Sequence, residues 1–303
     1  MLRLLDFGTV SGLRSQTWWH AVAETMQPGD APVLAIMTPA EAYVSIGFHR
    51  RTEELDLAEC AARGFGLFRR RAGGGPVLCD DGQIFFQLIA PTGSLPAALD
   101  RAWQRALGPA VEAFRSLGVE AELAPGNDMM AGDRKISGTG AAQIGDASAF
   151  VGNVIFSFDH DAMAGILAIP AAAKAEAARL MRRYLGCVDE VAGRPVSREE
   201  SVAALVDNYA EAFGGAIPSS PSPAEQDAVR LLDTRFTDPS WVFADRAPAP
   251  ARIKIRGGVS LISVGGSWVS VVDGRIDRAS IRDADDESDE LAGAIVAALS
   301  KGA

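Results

Sequence analysis

The chain has 303 residues, 48% of them hydrophobic and 22% charged, with a formal charge of −10 at pH 7. That size supports one large core, alone or with a smaller unit beside it, and the acidic balance argues against non-specific nucleic-acid binding. No apolar run approaches the roughly 18 residues of a membrane-spanning helix. Three scattered cysteines (Cys60, Cys79, Cys187) without a CxxC pair suggest neither a disulfide framework nor a zinc site, and fit a reducing, cytoplasmic compartment.

In chain order, residues 1–10 read as a first strand rather than a signal segment, because Asp6 interrupts the apolar run. Trp18, Trp19, Val22 and Met26 fall at helical spacing over 14–26, and Pro28-Gly29 closes that helix. Strands are expected at 31–37 and 43–48, a short helix at 56–63, then strands at 66–71 and 83–90. Residues 96–117 place Leu99, Trp103, Leu107, Val111 and Phe114 on one helical face, with Gly118 as the cap. A strand at 119–123, a hairpin over 128–136 turning at Gly132-Asp133, a strand at 149–158 and helices at 171–180 and 197–213 follow.

The composition then changes. Residues 217–223 (Ile-Pro-Ser-Ser-Pro-Ser-Pro) read as a linker between a catalytic domain, 1–216, and a small accessory α+β unit, 224–303. That unit is expected to hold a helix at 224–235, strands between 253 and 281 and a last helix at 287–300. Strands following one another through short turns favour an α+β fold with a mixed, mainly antiparallel sheet.

Two constellations carry chemistry. The first is Arg69-Arg70-Arg71-Ala72-Gly73-Gly74-Gly75-Pro76-Val77. Consecutive glycines let the backbone approach a ligand, and their N–H groups form an anion nest beside fixed positive charge. The alternative is a solvated arginine run and a flexible turn. The second is Asn127-Asp128 followed by Gly132-Asp133-Arg134-Lys135-Ile136-Ser137-Gly138. A lysine among small residues can act as a point charge on phosphate and carbonyl oxygens; the alternative is a hairpin with an exposed lysine.

In this order, the two constellations resemble the lipoate–protein ligase A branch of the biotin/lipoate ligase superfamily. The matching residues are Arg70, Arg71, Gly73, Gly74, Gly75 and Val77, then Asn127, Asp128, Gly132, Lys135, Ile136, Ser137 and Gly138. Val44-Ser45-Ile46-Gly47, Asp80, Gly82, Gly152 and Asp159 extend the likeness over roughly 1–215. The resemblance implies the biotin/lipoate ligase-like fold, with mainly antiparallel sheets flanked by helices. It also implies ATP-dependent activation of lipoate, or an octanoate-like acid, and transfer to a lysine of a lipoyl-carrier protein, with neither a nucleic-acid nor a membrane partner. Lys135 would be catalytic. The glycine segment, Arg70, Arg71, Val77, Asn127, Asp128, Ser137 and Gly138 would bind substrate and nucleotide, with Asp128 as a Mg²⁺ ligand and Val44, Ile46, Val77 and Phe86 as candidates for the acyl slot.

The chain departs from that family pattern at His20 (usually Asp), Ala72 (Ser or Thr), Cys79 (His), Phe150 and Val151 (a pair containing His) and Asn153 (Thr). Cys79 has two readings, a thiol nucleophile or a small buried residue. One type of cysteine-dependent transferase in the superfamily places its thiol just before the Asn-Asp-like segment, where this chain has none. That absence, together with the C-terminal unit, favours the adenylating ligase. An ATP-independent lipoyl or octanoyl transferase and a non-catalytic relative that binds the acyl group or the carrier are the alternatives.

Overall fold

The computed structural model describes residues 1–125, 128–247, 251–264 and 266–281. The helix expected at 287–300 and the acidic run at 283–290 lie outside these residues. In chain order, the first half holds β1 (Leu2–Val10), α1 (Gly12–Thr25), β2 (Val33–Pro39), β3 (Tyr43–Ile46), α2 (Leu57–Ala62), β4 (Gly66–Arg69), β5 (Val77–Cys79), β6 (Gln83–Pro91) and α3 (Leu99–Ser116). Next come β7 (Ala121–Leu123), β8 (Met129–Ala131), β9 (Arg134–Ser137), β10 (Gly140–Ile144) and β11 (Ala147–Ile155). The remainder is α4 (His160–Gly165), α5 (Ala171–Tyr184), α6 (Val188–Ala192), α7 (Arg198–Phe213), β12 (Ala216–Pro218), α8 (Pro223–Thr237), α9 (Pro239–Val242) and β13 to β16 (Arg252–Arg256, Val259–Val264, Ser267–Val272, Arg275–Ile281).

The fold is mixed α+β. The main sheet runs β10-β11-β6-β2-β1-β12. The pairs β1–β2 and β1–β12 are parallel, and the other pairs are antiparallel. Alternation along β6 splits its side chains between two cores. Ile84, Phe86 and Leu88 pack with α3 and α7, while Phe85 and Ile89 face Trp19, Val22 and Ala23 of α1. A second sheet, β4-β3-β5, packs Val44, Ile46 and Leu78 against Met163 of α4 and Leu180 of α5. Ile255, Val259 and Leu261 of the C-terminal sheet join that same core.

The stretch expected as a linker is built into the fold. Ile217 and Pro218 pair with Arg3 and Leu4, and the Ser219 N–H donates to the Leu4 carbonyl at 2.9 Å. Helix α8 starts on a Ser222–Glu225 capping box, and Glu225 also takes an ion pair from Arg3 at 2.9 Å. Asp233 on the same helix accepts Thr17 and Arg14 of α1 at 2.7 Å each. The polar, proline-rich composition marks an edge strand and a capped helix start rather than a tether.

Arg69, at the end of β4, is fully buried and faces backbone carbonyls only. It donates to Gly47, Phe48 and Arg50 at 3.1, 3.3 and 2.5 Å, and to Trp241 and Val242 at 3.1 and 2.7 Å. The Trp241 indole returns a bond to the Arg69 carbonyl at 3.0 Å. One guanidinium therefore joins the β3–β4 sheet to the segment after α8. A lysine has three donors on a point and cannot match this fork. Arg69→Lys is expected to cost about 2–4 kcal/mol in urea unfolding, because several buried carbonyls lose their donor; a loss below about 0.5 kcal/mol would contradict this role.

Candidate functional site

The glycine loop connects β4 to β5 on either side of β3. Its shape is set by Arg70. That guanidinium donates to the Gly73 and Gly75 carbonyls at 2.8 Å each and to the Ser45 carbonyl at 2.7 Å. Burial lowers its pKa to about 10, so it remains charged near neutral pH. With those carbonyls drawn inward, the N–H groups of Gly73, Gly74 and Gly75 have no protein acceptor among the described residues. Gly74 needs its φ of +94°, and a side chain at Gly47 would put a Cβ only 2.0 Å from the Gly74 carbonyl oxygen. The triple glycine is thus a preformed set of donors, as an anion nest requires. Val77 follows the loop and is 40% exposed.

The three arginines divide their contacts: Arg69 and Arg70 donate to backbone carbonyls, and Arg71 forms an ion pair with Glu24 at 2.6 Å. None of the three side chains stands as an uncommitted cation.

Lys135 lies on β9, opposite Met130 in the β8–β9 hairpin whose turn uses Gly132 at φ +57°. Its ammonium contacts Asp128 Oδ1 at 2.9 Å, and its side chain is 18% exposed. Asp128 Oδ2 accepts the Gly257 N–H at 2.6 Å and contacts Lys254 Nζ at 3.1 Å. Burial alone would raise the Asp128 carboxyl, but Lys135 and Lys254 outweigh it and hold its pKa below the usual carboxylate value. Both carboxylate oxygens are therefore taken by cations and an amide. No cluster of three His, Cys, Asp or Glu side chains suited to a metal exists among the described residues. A Mg²⁺ ion on Asp128 would share the carboxylate with Lys135 on Oδ1, or with Lys254 and the Gly257 amide on Oδ2. Asn127 lies outside the described residues.

After Lys135 the strand leads back toward the glycine loop. Ser137 Oγ and the Gly138 N–H donate to Asn153 Oδ1 at 3.2 and 2.7 Å. Asn153 Nδ2 donates to Gln83 Oε1 at 2.8 Å, and Gln83 Nε2 donates to Asp80 Oδ1 at 3.0 Å. Asp80 lies just beyond β5. Gly140 packs against the loop's other end, where a Cβ would lie 3.8 Å from that of Ala72. The segments after Lys135 and on both sides of the glycine loop are therefore linked through Asn153, Gln83 and the Gly140–Ala72 contact. Ser137 and Gly138 are part of this linkage. Asn153, a departure from the family pattern, is its centre, and Gln83 had no sequence signal.

The other departures are also absorbed. His20 is fully buried, Nδ1 bonded to the Gln16 carbonyl at 2.6 Å and Nε2 accepting the Arg71 N–H at 3.1 Å. Burial, helped by Arg71 and Arg70, pushes its pKa down to about 3. Phe150 meets the Trp103 ring edge-on at 5.1 Å, and Ala72 joins the core under α1. Burial pushes the Cys79 thiol up to about 12 and Cys187 up to about 11, and it raises Cys60 as well. The residues proposed for an acyl slot are not gathered together. Val44 and Ile46 lie in the core under α5, whereas Phe86 lies under α3 and α7. Two open depressions, of about 310 and 390 Å³, are lined by residues such as Phe48, Arg71 and Trp241 or Arg14, Trp18 and Val229, and neither is lined by Lys135.

Residues 14–210 match the family model described as lipoyl protein ligase A/B catalytic domain. The chain belongs to this family. It is 28% identical over 159 residues to lipoate–protein ligase 1 of Staphylococcus aureus, a match covering 52% of this chain and about half (48%) of that protein. It is 25% identical over 275 residues to the octanoyltransferase LipM of Moorella thermoacetica, covering 79% of this chain and 97% of that one. A crystal structure of lipoate-protein ligase A bound with ATP superposes with a TM-score of 0.69 at 24% identity, over 80% of this chain and 98% of that one. No helix among the described residues is long and apolar enough to cross a membrane.

The buried neutral His20 makes stability pH-dependent. Its folded pKa of about 3 lies below the unfolded value of about 6.5, so the unfolded chain binds more protons between them. Its contribution is complete above pH ~6.5 and falls as the pH drops toward 3, by up to about 1.4 kcal/mol per pH unit. His20→Gln keeps a donor and an acceptor without that titration. Urea unfolding between pH 6.5 and 4.5 should show a shallower acid slope in the variant, and parallel slopes would refute the assignment.

Proposed function

We propose that this chain is an ATP-dependent lipoate–protein ligase. The observation that carries this reading is a loop whose three glycine N–H groups are left without protein acceptors by Arg70, in a chain that also carries a half-buried lysine at 135 held by Asp128. In the first half-reaction, a lipoate or octanoate carboxylate oxygen attacks the α-phosphorus of ATP, the P–O bond to pyrophosphate breaks, and acyl-AMP forms. In the second, a lysine amine of a lipoyl-carrier domain attacks the acyl carbon. The amide forms, AMP leaves with the bonding electron pair, and the amine gives up a proton. Lys135 stabilises charge on the α-phosphate and then on the acyl oxygen, and the glycine N–H groups donate to the neighbouring oxygens. Arg70 holds the loop's shape. Asp128 holds Lys135 between turnovers, and 224–303 serves as the accessory unit.

The matched octanoyltransferase supports a second reading, ATP-independent acyl transfer through a cysteine. Burial opposes it, because all three thiols are shifted toward the unreactive protonated form. The known ligase relative and the ATP-bound structural neighbour support the first reading.

ATP–pyrophosphate exchange dependent on lipoate or octanoate tests the choice. The unmutated chain should catalyse it, and Lys135→Ala should lose about 10²–10³ in rate. Acyl transfer proceeding equally well without ATP would overturn the ligase assignment. The thiols give an independent check: Cys60→Ala, Cys79→Ala and Cys187→Ala, made singly, should each keep activity within about threefold, whereas loss of a nucleophile abolishes turnover.

A further inference from the structure

The C-terminal sheet reaches the lysine site. We propose that Lys254 on β13 is a positioning residue that allows Lys135 to leave Asp128 for the reacting phosphate. This rests on the ligase reading above and adds a residue to it from outside the catalytic-domain match at 14–210.

Three partners converge on the Asp128 carboxylate, whose side chain is 5% exposed: Lys135 on Oδ1, and Lys254 with the Gly257 N–H on Oδ2. Two of the three come from the β13–β14 hairpin, and that hairpin is anchored. Ile255, Val259 and Leu261 share the core under α5. Arg256 pairs with Asp273 at 3.1 Å and lies 4.8 Å above the Tyr184 ring. Gly258 turns at φ +77°, where a side chain would collide with Asp273. The amide and the second ammonium are thus delivered by a braced turn.

The charge count explains what the second lysine does. If Asp128 had Lys135 as its sole cation, the pair would be neutral. A phosphate could then recruit Lys135 only by leaving a carboxylate buried and unpaired, which is costly. With Lys254 and the Gly257 amide on Oδ2, the carboxylate keeps a cation and a donor when Lys135 moves. The cluster carries a net positive charge with Lys135 on Asp128, and Asp128 stays compensated after it leaves. Lys254 needs no contact with substrate for this; its side chain is 45% exposed, so replacing it leaves the core intact.

The test compares the full chain with Lys254→Met and Lys254→Arg. In lipoate-dependent ATP–pyrophosphate exchange, Lys254→Met should lower kcat on the order of tenfold with KM for lipoate unchanged, and Lys254→Arg should recover to within about threefold of the unmutated rate. A purely structural role would move KM and the urea midpoint instead. The second measurement needs no turnover: pulse labelling with an amine-selective acylating reagent, read at Lys135 by peptide mass spectrometry. Lys254→Met should slow labelling of Lys135 several-fold, because the ammonium stays on Asp128. Unchanged kcat together with unchanged labelling would overturn the proposal. If the unmutated chain shows no exchange, the ligase reading fails, and the labelling alone then decides for or against Lys254.

Discussion

Two guanidinium groups without a carboxylate partner organise this fold. Arg69 and Arg70 are adjacent in sequence, the first fully buried and the second half-buried, and both are solvated by peptide carbonyls. A buried cation is tolerable only when its donors are satisfied, and an arginine can place five N–H groups on fixed carbonyl positions. The consequences extend past stability. Carbonyls drawn toward Arg70 leave the opposite edge of the same peptides as N–H groups, so the loop's polarity toward a ligand follows from where its carbonyls point. Arg69 fixes the strand end from which that loop departs and ties it to Trp241.

Much of this was legible in the sequence, for physical reasons. The helix expected at 96–117 is found as Leu99–Ser116, since its apolar face repeats at helical spacing and buries Trp103, Leu107, Val111 and Phe114. The glycine run and Lys135 were legible because few structures require three glycines in succession or a lysine between small residues. Strands β5, β10 and β12 were missed. Each is short, and β12 lies in a Pro/Ser stretch whose pairing depends on a partner more than 200 residues away in the chain. Composition registers positive charge at Arg69 to Arg71, but it cannot say whether a guanidinium faces solvent or carbonyls.

The departures from the family pattern have a shared logic. A site losing its function would be expected to accumulate unpaired polar groups where ligand contacts were lost. Here each replacement makes a definite interaction. His20 accepts a backbone N–H from the segment carrying the glycines. Asn153 gathers Ser137, Gly138 and Gln83 into one network. Phe150 fills space against Trp103.

Charge placement separates the two chemistries open to this family. A cysteine route needs a thiolate, which requires positive charge or water near the sulfur, and burial shifts all three thiols the other way. An adenylating route needs a cation that can reach a phosphate, in a chain whose overall charge of −10 provides no steering for one. The structure concentrates positive charge locally instead, with two lysines on a single buried carboxylate. Such a cluster is screened little because it is partly buried, so it can act at contact distance despite the acidic surface. The net charge of the chain and the charge of its site thus have opposite signs, which suits phosphoryl chemistry at contact range.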